Sequence, residues 1–145
     1  MKKALIALII VLIIIQFIPL NRDNPASNPT SEIKLKPEVK PIIEKACYDC
    51  HSNNTNWPWY SFVAPVSFFV VNHVQEGRDE LNFSIWQEYS QKRKSRKLKE
   101  LVEEVEEGEM PLPPYIITHS EADLTEEEIG TLIKWAKSDS LYISN

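Results

Sequence analysis

Apolar positions fall into three regimes along the chain. Ala4 to Ile15 carries no polar side chain, and after Gln16 the run resumes through Phe17, Ile18, Pro19 and Leu20. Asn21 to Lys36 is polar and proline-punctuated, with too few apolar groups to bury a core of its own. From Pro37 onward the spacing is helical. Ile42, Ile43 and Ala46 form a stripe on a helix expected from Pro41, where a proline is tolerated in the first turn, to His51. Pro65 opens a second, with Val66, Phe69, Val70, His73 and Val74 on one face and Gly77 as its expected end. Ser84 is a candidate N-cap for a short helix. A long helix is expected over 91–107, with Leu98, Leu101, Val102 and Val105 inside and Gly108 as its stop. Met110–Pro111–Leu112–Pro113–Pro114–Tyr115 reads as a stiff extended segment. Thr125 and Glu128 form a capping box for a closing helix with Ile129, Leu132, Ile133 and Ala136 on its inner stripe. No strand pattern or internal repeat appears, so the fold class is all-α.

The first regime changes the picture of where the chain works. Lys2 and Lys3 before an apolar run make an export signal, and no small-residue cleavage site follows it. Residues 1–20 are therefore expected to be an uncleaved signal anchor, a single N-terminal transmembrane helix; a cleaved signal peptide is the alternative. Residues 21–36 are expected to be a flexible tether and 37–145 the folded domain. By the positive-inside tendency, the lysines stay in the cytoplasm and the domain lies on the outer, periplasmic side of the cytoplasmic membrane. All 21 acidic residues, but only 14 of the 16 basic ones, lie beyond Leu20, so that part carries −7. An acidic domain is a poor binder of nucleic acid. Charge is segregated within the long helix: Lys92, Arg93, Lys94, Arg96, Lys97 and Lys99 come first, and Glu100, Glu103, Glu104, Glu106 and Glu107 follow. That reverses the preference of the helix dipole and reads as a docking patch or as a solvated face.

The chemistry concentrates at Cys47–Tyr48–Asp49–Cys50–His51. C-x-x-C-H is the attachment signature of c-type haem. Two cysteines three apart share one face of a helical turn, so both sulfurs can add to vinyl groups on one porphyrin edge. The adjoining histidine then offers an imidazole nitrogen to the iron. A dithiol redox pair and half of a zinc site are the alternatives. Zinc would need further ligands, and the chain has only two cysteines. A second iron ligand must come from elsewhere. Met110 is the one methionine beyond the initiator, held in a proline-rich loop. His73, on an apolar helix face, is either a core or a haem-facing group, and His119 lies in a polar loop. Trp57, Trp59 and Tyr60 pack either on the porphyrin or in an ordinary core.

With these residues in place, the chain resembles class I c-type cytochromes and, more closely, a bacterial haem-binding domain family of short, anchored, mono-haem proteins. The likeness runs through Cys47 to Asn53, Trp57–Pro58–Trp59–Tyr60, Ala64 to Ser67, Gly77–Arg78, Leu81 to Ser84, Trp86 and Gly108 to Pro111. The resemblance implies a cytochrome c-like helical domain around one covalent haem c, with Cys47 and Cys50 as thioether links, His51 as proximal ligand and Met110 as distal ligand. The function expected on that basis is a membrane-tethered electron carrier, not an enzyme, serving redox proteins of a respiratory or related chain. A haem enzyme or small-molecule sensor with an open or labile distal site is the alternative.

Overall fold

The computed structural model describes residues 1–143; residues 144 and 145, at the end of the expected 37–145 domain, lie outside them. Helices α1 (Lys2–Ile14), α2 (Lys40–Ala46), α3 (Tyr48–His51), α4 (Val66–Glu80), α5 (Gln91–Glu106), α6 (Pro113–Thr118), α7 (Glu126–Ser138) and α8 (Ser140–Ile143) follow one another, with short 3-10 turns between them. No strand occurs among the described residues, in keeping with an all-helical chain. The core joins Val39, Ile42 and Ile43 beside α2 to Phe83 and Trp86 of a 3-10 segment, Leu98 and Val102 of α5, and Leu132 and Ala136 of α7. The members from α2, α5 and α7 lie on the inner stripes that helical spacing marks out, but α4 departs from its expected face: Val66 and Phe69 are exposed, and Ser67 and Val71 are buried with Val74 instead.

The transmembrane expectation is overturned. α1 has 13 residues, which at about 1.5 Å each gives about 20 Å, against the roughly 30 Å of a bilayer's hydrocarbon core. No helix among the described residues is long and apolar enough to cross a membrane. Gln16 supplies the physical reason. Its amide donates to Leu12 O at 2.8 Å and to Ala64 O at 3.1 Å, while its own oxygen accepts from Ala64 N at 2.9 Å. The apolar run is thereby folded off at Gln16, and Ile18 leaves helical geometry before Pro19. A single-pass placement in the cytoplasmic membrane, with the domain held outside by this helix, has no support.

The 21–36 segment forms no helix and runs along the domain. Arg22 Nε donates to Ser61 O at 2.7 Å, and Arg78 reaches Asp23 O and Asn24 Oδ1. Ile33 N donates to Phe83 O at 2.9 Å, Gln87 N donates to Ser31 O at 2.8 Å, and the Ile33 side chain is buried in the core.

Three local expectations also shift. The helix into the cysteines breaks at Cys47, which closes α2 and opens α3. Asn82, not Ser84, caps the segment that follows α4, accepting from Ser84 N at 2.9 Å. The basic half of α5 is not a solvated face throughout. Lys94 and Lys97 are buried, Lys94 Nζ bonding to Gln87 Oε1 and Lys97 Nζ to Glu80 and Glu100.

Candidate haem site

The C-x-x-C-H turn is held from both sides. His51 N and Cys50 N donate to Cys47 O, which makes α3 a single tight turn. Ser52, buried and extended, ends it, with its hydroxyl donating back to Tyr48 O at 2.7 Å. Asn53 and Asn82 then join two separated motifs through buried polar contacts. Asn82 Nδ2 donates to Asn53 Oδ1 at 2.7 Å, and Asn53 N donates to Ser84 Oγ at 3.0 Å. Buried polar groups of this kind are worth keeping only when every partner is present, which explains why Cys47 to Asn53 and Leu81 to Ser84 belong together.

α4 crosses this turn at Gly77. A Cβ there would lie 2.7 Å from Cys50 O and 3.2 Å from Cys50 Cβ. Gly77 is therefore a point of close approach inside a helix that continues to Glu80, not the helix end that its residue type suggests. The approach brings His51 Nδ1 to 2.9 Å from Gly77 O and 3.0 Å from Leu81 O. Carbonyls only accept, so Nδ1 carries the proton and Nε2 holds the lone pair. Burial lowers the His51 pKa; the two carbonyl bonds oppose that, Lys97 reinforces it and Glu80 opposes it more weakly. The result is a neutral imidazole in the tautomer that binds metal through Nε2.

Three adjoining cavities surround this turn. His51, Cys47 and Met110 line one of about 400 Å³ together with Phe83, Lys97 and Leu101. Cys50, His51, His73, Met110 and Tyr115 line a second of about 260 Å³. Cys50 and His73 continue into a third of about 350 Å³, bounded by Trp59, Tyr60, Val66 and Phe69. The two larger are the size of small-molecule and cofactor sites. An open depression of about 390 Å³ beside Ile33 and Trp135 holds none of these groups.

The candidate residues divide cleanly by place. Cys47, Cys50, His51 and Met110 all face this hollow, and so does His73. His73 Nδ1 lies 2.9 Å from Phe69 O, and the centroids of the two rings are 4.0 Å apart. His119 lines none of the three cavities; its ring stacks on Tyr115 at 4.2 Å and its Nδ1 contacts Thr118 and Tyr60. Trp59 and Tyr60 border the hollow, and Trp59 is 77% exposed.

Asp49 and Tyr115 are a pair at these cavities that residue patterns alone did not single out. Tyr115 OH donates to Asp49 Oδ2 at 2.7 Å, and Asn56 N donates to Asp49 Oδ1 at 2.9 Å. Burial, then the Asp49 carboxylate, raises the Tyr115 pKa, so the phenol keeps its proton and the bond persists. One residue inside C-x-x-C-H thus ties down the helix that follows Met110. An acid between the cysteines and a tyrosine five residues past the methionine was the available signal, but nothing local pairs them.

Two alternatives for the cysteines lose ground here. Burial, with the neighbouring Cys50, pushes the Cys47 thiol up to about 12, and burial, with Asp49, pushes Cys50 up to about 11. Dithiol redox pairs depend on a lowered thiol pKa. No group of three or more His, Cys, Asp or Glu suited to a metal ion occurs among the described residues, which leaves zinc without a ligand set.

A neutral imidazole facing a cofactor-sized hollow, with two thiols and a thioether on its walls, suits haem. The sequence profile of the haem-binding domain matches residues 10–138. The chain belongs to this haem-binding domain family. Comparison with curated proteins and with solved structures finds no match.

Proposed function

We propose that the haem is haem c, held by thioether bonds from Cys47 and Cys50 and ligated by His51 and Met110, and that the domain is a one-electron carrier. Each thiol adds across one vinyl group: a sulfur–carbon bond forms, the thiol hydrogen passes to the other vinyl carbon, and no oxidant or leaving group is needed. The observation that supports the reading best is His51. Its Nδ1 is fixed by two backbone carbonyls, and its Nε2 is left for iron on the wall it shares with Met110. When bound, the haem supplies an iron that changes oxidation state by one electron. The protein's part is to hold that iron still. Asp49 and Tyr115 anchor the methionine loop, Gly77 seats α4 on the C-x-x-C-H turn, and Phe83 and Leu101 keep water from the iron's surroundings. Histidine–methionine ligation favours a raised potential and leaves no open position for a substrate. Partners are then larger redox proteins of a respiratory or related chain.

His73 supports a second ligation, because it lines the same cavity as His51 and Met110. Two experiments separate the possibilities. Protein made in a host that matures c-type cytochromes should keep a haem stain after denaturing electrophoresis, and Cys47→Ser with Cys50→Ser should abolish it. A wild-type protein without the stain would end the covalent reading. Met110→Ala should remove the sulfur-to-iron absorption band and lower the potential, whereas His73→Ala should leave both in place. The reverse pattern would assign the second ligand to His73.

A further inference from the structure

Lys97 is an unusual group to find on a haem cavity wall. It is 5% exposed, lies in the interior half of α5, and lines the same cavity as His51 and Met110. Its ammonium is held at 2.8 Å by Glu80 Oε2 and at 2.6 Å by Glu100 Oε2. The cluster has a direction. The Lys97 side chain is 6% exposed, while those of Glu80 and Glu100 are 76% and 42% exposed. The ammonium is shut off from water, whereas the two carboxylates, which also border this cavity, are in contact with it. Solvent and salt screen the carboxylates strongly and the ammonium weakly.

We propose that Lys97, oriented by Glu80 and Glu100, is a positioning charge that sets the reduction potential of the haem iron. This rests on the reading that the haem sits between His51 and Met110. Neutral ligands leave the oxidised iron one positive charge above the reduced one. A buried cation on the same cavity wall disfavours the oxidised state and raises the potential; a carboxylate does the opposite. Holding a lysine in this place also costs desolvation, which the two carboxylates more than offset, since its pKa lies above the ordinary value. A cavity wall that needed only packing would be filled by a leucine or a methionine without that cost.

The test is redox titration of the haem-loaded full chain. Lys97→Met should lower the midpoint potential, Lys97→Arg should keep it near wild type, and Glu80→Gln should raise it by an amount that shrinks as salt is added. Opposite shifts from the two charge removals are the signature, because loosened packing would move both the same way. Potentials unchanged in Lys97→Met, or moved in one direction by both variants, overturn the proposal. Should Lys97→Met fail to load haem, Glu80→Gln decides alone, its side chain being mostly in solvent. A wild-type haem that is bound but not covalently attached would refute the attachment reading, yet leave every one of these potentials measurable.

Discussion

Gly77 shows how much one missing methyl group can position. The bare Cα lets α4 approach the C-x-x-C-H turn, and the Gly77 carbonyl then fixes the His51 ring. Gly77→Ala would press a Cβ into the Cys50 backbone, which has no flexible end to give way. The expected cost is about 1–3 kcal/mol of stability, accompanied by lower haem content. Gly130 is the control. Nothing lies within 4 Å of an added Cβ there, and Gly130 sits inside α7, so Gly130→Ala should stabilise by about 0.5–1 kcal/mol. Thermal unfolding and haem content of the two variants measure both. Equal behaviour would mean that the close approach at Gly77 is not needed. Residue type alone could not have separated these glycines, because what distinguishes them is the Cys50 backbone, far off in the sequence. That Cys47, Cys50 and His51 would share one turn was legible, since their spacing falls within five residues.

At the scale of elements, local signals were legible and tertiary ones were not. The capping box of α7 forms as the sequence predicts: Glu128 N donates to Thr125 Oγ1 at 3.3 Å, and Thr125 N donates to Glu128 Oε2 at 2.9 Å. By contrast, Pro113 and Pro114 read as extended chain, yet they open α6, where the first turn has no use for their missing donors. The two buried lysines of α5 were hidden because their partners Gln87 and Glu80 lie on other elements. The capping box also does more than start a helix. Glu128 Oε1 meets Lys45 Nζ at 2.7 Å, tying α7 to α2 just ahead of Cys47. The Lys45 ammonium, then the Thr125 backbone, holds the Glu128 carboxyl below its ordinary value of 4.5. A carboxyl whose folded pKa is depressed contributes stability in full above its unfolded pKa, and that contribution is lost as pH falls through the folded one. Glu128→Gln should therefore weaken the protein at pH 7 and flatten its stability profile below about pH 4.5. Thr125→Ala should cost about 1 kcal/mol. Denaturant unfolding across that pH range checks both, and an unchanged acid slope in Glu128→Gln would remove the ion pair from the account.

For the whole molecule, the 21–36 segment decides where the folded unit begins. Its composition is that of a linker, and composition cannot reveal that one of its few apolar side chains, Ile33, reaches the core. Its polar groups also end on the elements that carry the site: Arg78 of α4 holds Asp23 and Asn24 while its Nε donates to Ser52 O, and Glu32 accepts from Tyr48 OH at 3.0 Å. α1 is attached differently, through the Gln16 amide at Ala64, and buries none of its own residues. Two truncations should therefore behave unlike each other. A chain that begins at Asn21 loses α1 and Gln16 but keeps Ile33 in place, so its unfolding midpoint should stay close to that of the full chain. A chain that begins at Pro37 loses the Ile33 side chain, worth about 1.5–3 kcal/mol when fully buried, and the backbone bonds to Phe83 and Gln87. It also removes the bonds of Arg78 to Asp23 and Asn24 and the bond of Tyr48 to Glu32, on either side of His51. Its midpoint should fall clearly, and its haem content should fall with it, since the lost contacts are made by residues of α3 and α4. Equal midpoints for the two truncations would show that the arm lies on the domain without supporting it.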